Sequence, residues 1–429
     1  MNILRIILHS DLNNCYASIE SIAHPEYKKI PLAVGGDPEK RHGIILAKNE
    51  IAKKYGVKTG EALWQAQSKC PSLKILPPNF PLYQKYCSAV KQLYGEYTDL
   101  TESFGPDEAW LDVTASTTLF GTGETIAEEI RRRVREELGL TVSIGVSFNK
   151  VFAKFGSDYK KPDAVTVITK ENYKDIVWPA PIKDLLFAGP STVRELNRRG
   201  LFTIGDVALA GKEALTRALG KNGERMYFYA AGLDTSPVLH TDEDTPIKSI
   251  GNSITPPKDM ESFSDAKIVL YVLSESVARR LRQHSLVCSG VQLHLRSTSL
   301  FTQERQKKLE FQTNLSETIC KEGLELLQSS WNFSVPLRSI GIRAIDLSPS
   351  QTPRQLSMLR DEEKEQKKEK LELTVDKIRE KYGKESIVRS IILSDSALGS
   401  TNKPRQAPTA FGHNTAEPYY GSDIDTACR

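Results

Sequence analysis

At 429 residues, 26% of them charged and with a formal net charge of +4, the chain has room for about three domains at roughly 100–200 residues each, and so mild a basic surplus does not by itself mark a nucleic-acid binder. The six cysteines (Cys15, Cys70, Cys87, Cys288, Cys320, Cys428) include no C-x-x-C pair, which argues against a zinc site and a disulfide framework and suits reduced thiols in the cytosol. Ile3 to Leu8 is too short and too soon polar for a signal peptide, and no stretch approaches the ~18 apolar residues that span a membrane.

In chain order, Ile3 to Leu8 reads as a buried strand that delivers Asp11 at its end, and a helix begins at 17–20. Prolines interrupt 24–81, where the one clear helix is Asn49 to Tyr55, ended by Gly56; this stretch reads as a small inserted subdomain. Helical spacing returns from Leu82 to Tyr97. Two strand-like pieces then flank Gly105-Pro106, and the second carries the adjacent carboxylates Asp107 and Glu108 into Ala109-Trp110-Leu111. Asp-Glu pairs also occur at 242–243 and 361–362, so the dipeptide alone decides nothing. In 124–138, Ile126, Ile130, Val134 and Leu138 form one apolar stripe, and Arg131, Arg132, Arg133 and Arg135 read as a solvated face. A strand at 140–147, a helix at 151–159 and a strand at 165–168 follow. With the insertion set aside the order is β-α-β-β-α-β, a ferredoxin-like arrangement whose central strands bring Asp11 beside Asp107 and Glu108.

Past Trp178 to Pro181 the chain reads as all-helical to Gly232. The turn Gly189-Pro190-Ser191-Thr192 suits either a plain helical hairpin, the better reading by itself, or a helix-hairpin-helix that holds a DNA phosphate on backbone N–H groups. The acidic run 236–246 reads as a linker. A separate α+β unit spans 247–347, with strands at 250–254, 290–295 and 340–344 and helices at 264–282 and 314–327. Thirteen basic against ten acidic residues there leave a weak surplus suited to phosphate contacts. Arg360 to Lys384 reads as an exposed helix with internal i, i+4 ion pairs, and disorder is expected beyond Ser394.

Carboxylates of this kind suit a nucleotidyl transferase, which needs two divalent ions held roughly 3.5–4 Å apart. Asp11, Asp107 and Glu108 are the candidates to hold them, and Lys53 and Lys161 the candidates to face a triphosphate. The segments HSDLNNCYASIE (9–20), YGVKTG (55–60), SFGPDEAWLDV (103–113) and SIGVSFNKVFAK (143–154) together resemble a bacterial Y-family translesion DNA polymerase of the DNA polymerase IV or UmuC-like branches. The resemblance covers about residues 1–350. It implies a multidomain α+β right-hand polymerase: a ferredoxin-like palm (1–22 and 82–168), small fingers (23–81), a helical thumb (169–235), the linker 236–246, an α+β little finger (247–350) and a tail (351–429). It further implies two Mg²⁺ held by Asp11, Asp107, Glu108 and the Leu12 carbonyl. The triphosphate would lie against Asn14, Cys15, Lys53 and Lys161, and Tyr16 would be the steric gate that excludes a 2′-hydroxyl. DNA would lie near Gly189, Ser191, Thr192 and Ser249, and the sliding clamp (β subunit) would bind Gln355, Leu356, Met358 and Leu359. Implied too are primer–template DNA and dNTPs as partners, a monomeric state and a cytoplasmic location with no membrane contact.

Three departures from the family pattern stand out. Asn13 replaces the Asp usual in the DNA polymerase IV branch, Glu50 and Lys53 replace Tyr and Arg, and Ile44 and Leu46 give a bulky roof over the base pair. A transferase that inserts chiefly one nucleotide, and a catalytically silent DNA-binding scaffold, remain open from the residues alone.

Overall fold

The computed structural model describes residues 5–36, 43–241, 243, 246–352, 362–383 and 385–399, and these form two compact units that part between Thr245 and Pro246. The first unit is built on a five-stranded sheet in the order β5-β6-β1-β7-β8, from β1 (Ile7–Leu12), β5 (Thr101–Ser103), β6 (Glu108–Asp112), β7 (Val142–Ser147) and β8 (Val165–Ile168). Both neighbours of β1, β6 and β7, run antiparallel to it, and β8 adds in parallel at the edge. Helices α1 (Cys15–Ala23), α4 (Phe80–Gly95) and α6 (Gly123–Leu138) share one core with the sheet, centred on Leu8, Ile19, Val90, Leu111, Ile130 and Ile144. β1 begins later than the apolar run suggested and continues through His9, Ser10 and Asp11. These polar residues stay buried because each has a partner: Ser157 Oγ at 2.8 Å from His9, the Tyr94 hydroxyl donating to Ser10 at 2.7 Å, and Lys154 at 3.1 Å from Asp11.

Between α1 and α4 lies a small sheet of β2 (Leu32–Gly35), β3 (Ile45–Lys48) and β4 (Lys74–Leu76), with helices α2 (Glu50–Lys54) and α3 (Leu63–Lys69). Asn49 caps α2 through its Oδ1, which accepts the Ala52 N–H at 2.9 Å. The helix α3 and the three strands were hidden in the sequence by the proline-broken pattern. After β6 come the short α5 (Thr117–Phe120), α6, and then α7 (Lys150–Tyr159), whose backbone lies unusually close to β7. A Cβ built on Gly145 would run into the Ala153 carbonyl, and one on Gly156 would come within 3.0 Å of the Gly145 Cα, so glycine at both places sets the approach.

Beyond α8 (Tyr173–Ile176), helices α9 (Pro190–Arg198), α10 (Ile204–Ala210), α11 (Lys212–Leu219) and α12 (Lys221–Ala230) pack around Leu196, Ile204, Val207, Leu215 and Met226. Residues 236–241 of the expected linker lie against the first unit. Val238 is buried beside Trp110 and Ile7, the Leu239 N–H donates to Glu102, and the Thr241 N–H donates to the Asp99 carbonyl.

The second unit is a four-stranded antiparallel sheet in the order β11-β10-β12-β9, from β9 (Ile250–Ile254), β10 (Leu286–Ser297), β11 (Thr302–Thr313) and β12 (Leu337–Pro349), covered by α13 (Phe263–Gln283) and α14 (Ser316–Ser330). The edge strand β11 escaped sequence reading because its residues 304–308 are charged or polar and largely exposed, as suits an edge. Two features of the chain beyond 352 go further than the sequence suggested. α15 (Glu362–Tyr382) is largely exposed, as expected, but it also pairs outward: Glu372 and Asp376 grip the nearly inaccessible Arg282 of α13, and Lys368 pairs with Glu317 at 2.8 Å. Glu372 also accepts the Ser316 N–H at 3.0 Å, supplying the cap that Leu315 cannot give α14. Past Ser394, α16 (Ser396–Gly399) buries Leu398 fully, so the expected disorder does not begin before 399, and residues 400–429 fall outside the described residues. Arg282→Ala leaves Asp376 without its cation and Glu372 with only the more distant Arg389 at 3.9 Å, and is expected to destabilise this unit by about 3 kcal/mol. Limited proteolysis should then cut between 362 and 399 at denaturant levels that leave the parent intact. No helix among the described residues is long and apolar enough to cross a membrane.

Candidate active site

Cross-strand register builds the site. Asp11 on β1 stands opposite Glu108 on β6, and His9 stands opposite Trp110, so the alternation of a strand puts all four side chains on one face. That face meets α7, where the Trp110 indole donates to the Lys150 carbonyl at 2.9 Å. Asp107 sits one residue before β6. Its carbonyl accepts the Leu12 N–H at 3.1 Å, and Lys91 of α4 steadies the preceding turn by donating to the Gly105 carbonyl at 2.9 Å. The pairing of β1 with β6 thus brings Asp11 and Glu108 together, with Asp107 adjoining the strand.

Lys154 of α7 bridges two of the three. Its Nζ lies 2.6 Å from Glu108 Oε2 and 3.1 Å from Asp11 Oδ2, with Asp158 at 3.2 Å. Burial works to neutralise this lysine, but the carboxylates outweigh it and raise its pKa. Lys161 approaches Asp11 Oδ2 at 2.9 Å and Asp158 at 2.7 Å. Glu108 Oε2 is buried, and His9 Nε2 stands 3.3 Å away, near enough to couple electrically but misaligned for a full hydrogen bond. Burial alone would raise Glu108; His9 and Lys154 overcome it and hold the carboxyl at about 2. Asp107 goes the other way. Burial, and then the charges of Asp11 and Glu108, push it up to about 6.

Among the described residues no group of three or more His, Cys, Asp or Glu stands in metal-holding geometry, and Asp11 and Glu108 are both paired with Lys154. The donor set nonetheless fits a hard divalent cation. All three side chains offer oxygen, they lie at the ends of paired strands, and Asp107 forms no ion pair among the described residues while carrying the electrostatic strain of its two neighbours.

Beside the trio, the chain turns through Asn14 in a left-handed conformation (φ 50°) and enters α1, whose first N–H groups have no partner within the helix. Asn14 Nδ2 donates to Glu50 Oε1 at 3.0 Å, and Lys53 sits 3.5 Å from the same oxygen, so Glu50 joins this corner even though it was left out of the sequence-based set. Cys15 Sγ is 3.7 Å from Cys87 Sγ, and this thiol contact, helped by burial, raises the Cys15 pKa and keeps it protonated. Tyr16 stacks on Tyr83 with ring centroids 4.3 Å apart. Asn13 is buried: its Oδ1 accepts the Asp163 N–H at 2.8 Å and its Nδ2 donates to Ser143. Asp163 is in turn clamped by Arg131 and Arg135, so those arginines fix the loop that carries Lys161 and are more than a solvated face. Ile44 is about half exposed and Leu46 less so.

Three of the other candidates belong to the helical part of the first unit. Gly189 precedes α9, Ser191 is exposed in its first turn, and Thr192 is buried with Oγ1 accepting from Asn222 at 3.1 Å. Ser249 immediately precedes β9 in the second unit. Gln355, Leu356, Met358 and Leu359 fall outside the described residues. Lys154 and His9 were missed as site residues. The available signal for Lys154 was a lone lysine in the otherwise apolar, small-residue run Val151 to Ser157.

Known proteins resemble this chain in sequence and in fold. The impB/mucB/samB family is matched over residues 10–158, and its C-terminal domain over 247–358. The chain is 50% identical to the DNA polymerase IV of Acetivibrio thermocellus across 92% of this chain and 99% of that one. It is 36% identical to the DNA polymerase IV of Clostridium kluyveri across 90% and 97%, and 34% identical to DNA polymerase IV 2 of Bacillus subtilis across 91% and 95%. In fold it is similar to a Y-family DNA polymerase chimera of Dbh and Dpo4, with a TM-score of 0.70, 24% identity, and coverage of 80% of this chain and 99% of the other. The chain thus belongs to the impB/mucB/samB family, as a relative of the DNA polymerase IV proteins.

Proposed function

We propose that this protein is a template-directed, error-prone DNA polymerase that extends a primer 3′ end past damaged bases and so serves damage tolerance. The observation that carries the reading is the cross-strand placement of Asp11 against Glu108 with Asp107 beside them. Asp11, Asp107, Glu108 and the Leu12 carbonyl would hold two Mg²⁺, which when bound would supply Lewis-acid activation of the attacking 3′-oxygen and positive charge for the leaving pyrophosphate. The chain's own groups do the rest. The N–H groups of Asn14 and Cys15, at the start of the nine-residue α1, donate to phosphate oxygens. Lys53 and Lys161 bring positive charge from opposite sides, and Lys154 fixes the spacing of Asp11 and Glu108. The Tyr16 ring lies under the incoming sugar and leaves no volume for a 2′-hydroxyl.

On this reading the five-stranded sheet is the palm, 23–81 the fingers, 169–235 the thumb and 247–350 the little finger. Gly189, Ser191, the Thr192 N–H and Ser249 contact DNA. The protein acts as a cytoplasmic monomer. Primer extension on undamaged and lesion-bearing templates, with each dNTP supplied separately, is the test. Insertion that follows the template base supports a polymerase; one nucleotide inserted regardless of template indicates a restricted transferase; no insertion indicates a scaffold. Residues 355–359 dock on the sliding clamp, and deleting them should abolish clamp-stimulated synthesis while basal synthesis stays unchanged. Equal stimulation before and after deletion would reject the docking.

A further inference from the structure

Glu20 is a buried carboxylate, 4% exposed, that takes no part in the chemistry described above. It lies on α1 four residues after Tyr16, so the two side chains leave the same helix face one turn apart. Across from them, α4 presents Tyr83. The Tyr83 ring lies nearly parallel to the Tyr16 ring, at 13° with centroids 4.3 Å apart, and its hydroxyl donates to Glu20 Oε1 at 2.5 Å. Phe80, one turn earlier on α4, meets both rings edge-on at 6.0 Å. Tyr83 is 2% exposed and has no room to slide, whereas Tyr16 keeps part of its surface open.

A ring that excludes a 2′-hydroxyl has to resist displacement by a group only one oxygen larger than hydrogen. An unsupported tyrosine yields to so small an intrusion by rotating about its side-chain bonds. Here retreat is blocked from behind: Tyr16 rests flat on Tyr83, and Tyr83 is pinned through its hydroxyl to a carboxylate on the helix that carries Tyr16 itself. The bracket closes on one helix, so gate and support move together if α1 shifts.

We propose that Glu20 and Tyr83 are positioning residues for sugar selection, fixing the Tyr16 ring so that it discriminates deoxyribonucleotides from ribonucleotides; this rests on the reading of Tyr16 as the gate. The bracket acts on the difference between the two sugars and leaves the metal-holding carboxylates untouched. Its signature is a change in the ratio of kcat/KM for a dNTP to kcat/KM for the matching rNTP. A merely structural role lowers both efficiencies together and leaves the ratio fixed.

The experiment measures that ratio in the full chain for the parent and for Tyr83→Phe, Glu20→Ala, Glu20→Gln and Tyr16→Ala. Tyr83→Phe keeps the ring and its packing and removes only the hydroxyl, so it tests the bracket even if Glu20→Ala fails to fold. Tyr83→Phe and Glu20→Ala should each lower the ratio about tenfold, the scale of one hydrogen bond to a charged group. Glu20→Gln retains an oxygen that accepts from Tyr83 and should stay within about twofold of the parent, and Tyr16→Ala should lower the ratio furthest. If Tyr16→Ala lowers the ratio but Tyr83→Phe leaves it unchanged, the bracket is overturned and the gate stands. If Tyr16→Ala itself leaves the ratio unchanged, the gate falls, and the bracket with it.

Discussion

A Glu108→Gln variant is expected to lose at least about 10³-fold in primer extension, roughly 4 kcal/mol of transition-state stabilisation, while binding primer–template DNA like the parent. The substitution preserves volume and leaves an oxygen for Lys154, so the β1–β6 pairing is retained. What disappears is one negative charge from the three that face each other across those strands. Asp107→Asn should behave alike for a different reason. Asp107 lacks a cation among the described residues and is already pushed up to about 6, so of the three it gains most from an added positive ion. Primer extension and a DNA mobility shift on the same preparations check both points. Full extension in both variants would remove the trio from the chemistry.

Lys154→Met should act on stability before it acts on turnover. In the absence of divalent ions, removing an ammonium that bridges two mostly buried carboxylates is expected to destabilise the fold by about 3 kcal/mol, because two negative charges are left facing each other. Added Mg²⁺ should restore a large part of the loss, since an ion that binds only the folded site stabilises it by mass action. The measurement is the urea midpoint of parent and variant, each with chelator and with Mg²⁺. The variant should gain more from Mg²⁺ than the parent does. Equal gains would show that lysine and metal do not draw on the same oxygens.

Much of this site could be read from sequence because its logic is local. Asp107-Glu108 follows a Gly-Pro turn, Asp11 ends an apolar run, and a ferredoxin-like order leaves few ways to place those strands except side by side. Lys154 could not be read the same way. Its importance depends on how closely α7 approaches β7, a tertiary distance with no periodic signature. The bracket behind Tyr16 was also out of reach, since Glu20 and Tyr83 are 63 residues apart and meet only because α4 returns against α1. Beyond 352, composition did not reveal the outward contacts of α15. A Glu- and Lys-rich helix reads as solvated by itself, but its carboxylates answer Arg282, a cation that α13 had already removed from water. β11 shows the converse, a regular strand whose hydrophilic residues mask its period because it forms the sheet's edge.

The two glycines at the contact of α7 and β7 give the site a mechanical property. With backbone resting on backbone there is no compressible side chain between helix and strand, so α7 behaves as a spacer of fixed thickness. Lys154 is mounted on that spacer, and its distance from Asp11 and Glu108 is inherited from covalent geometry instead of from a balance of soft contacts. A single methyl group at position 145 would thicken the spacer and move the lysine's charge relative to both carboxylates without altering any group that reacts.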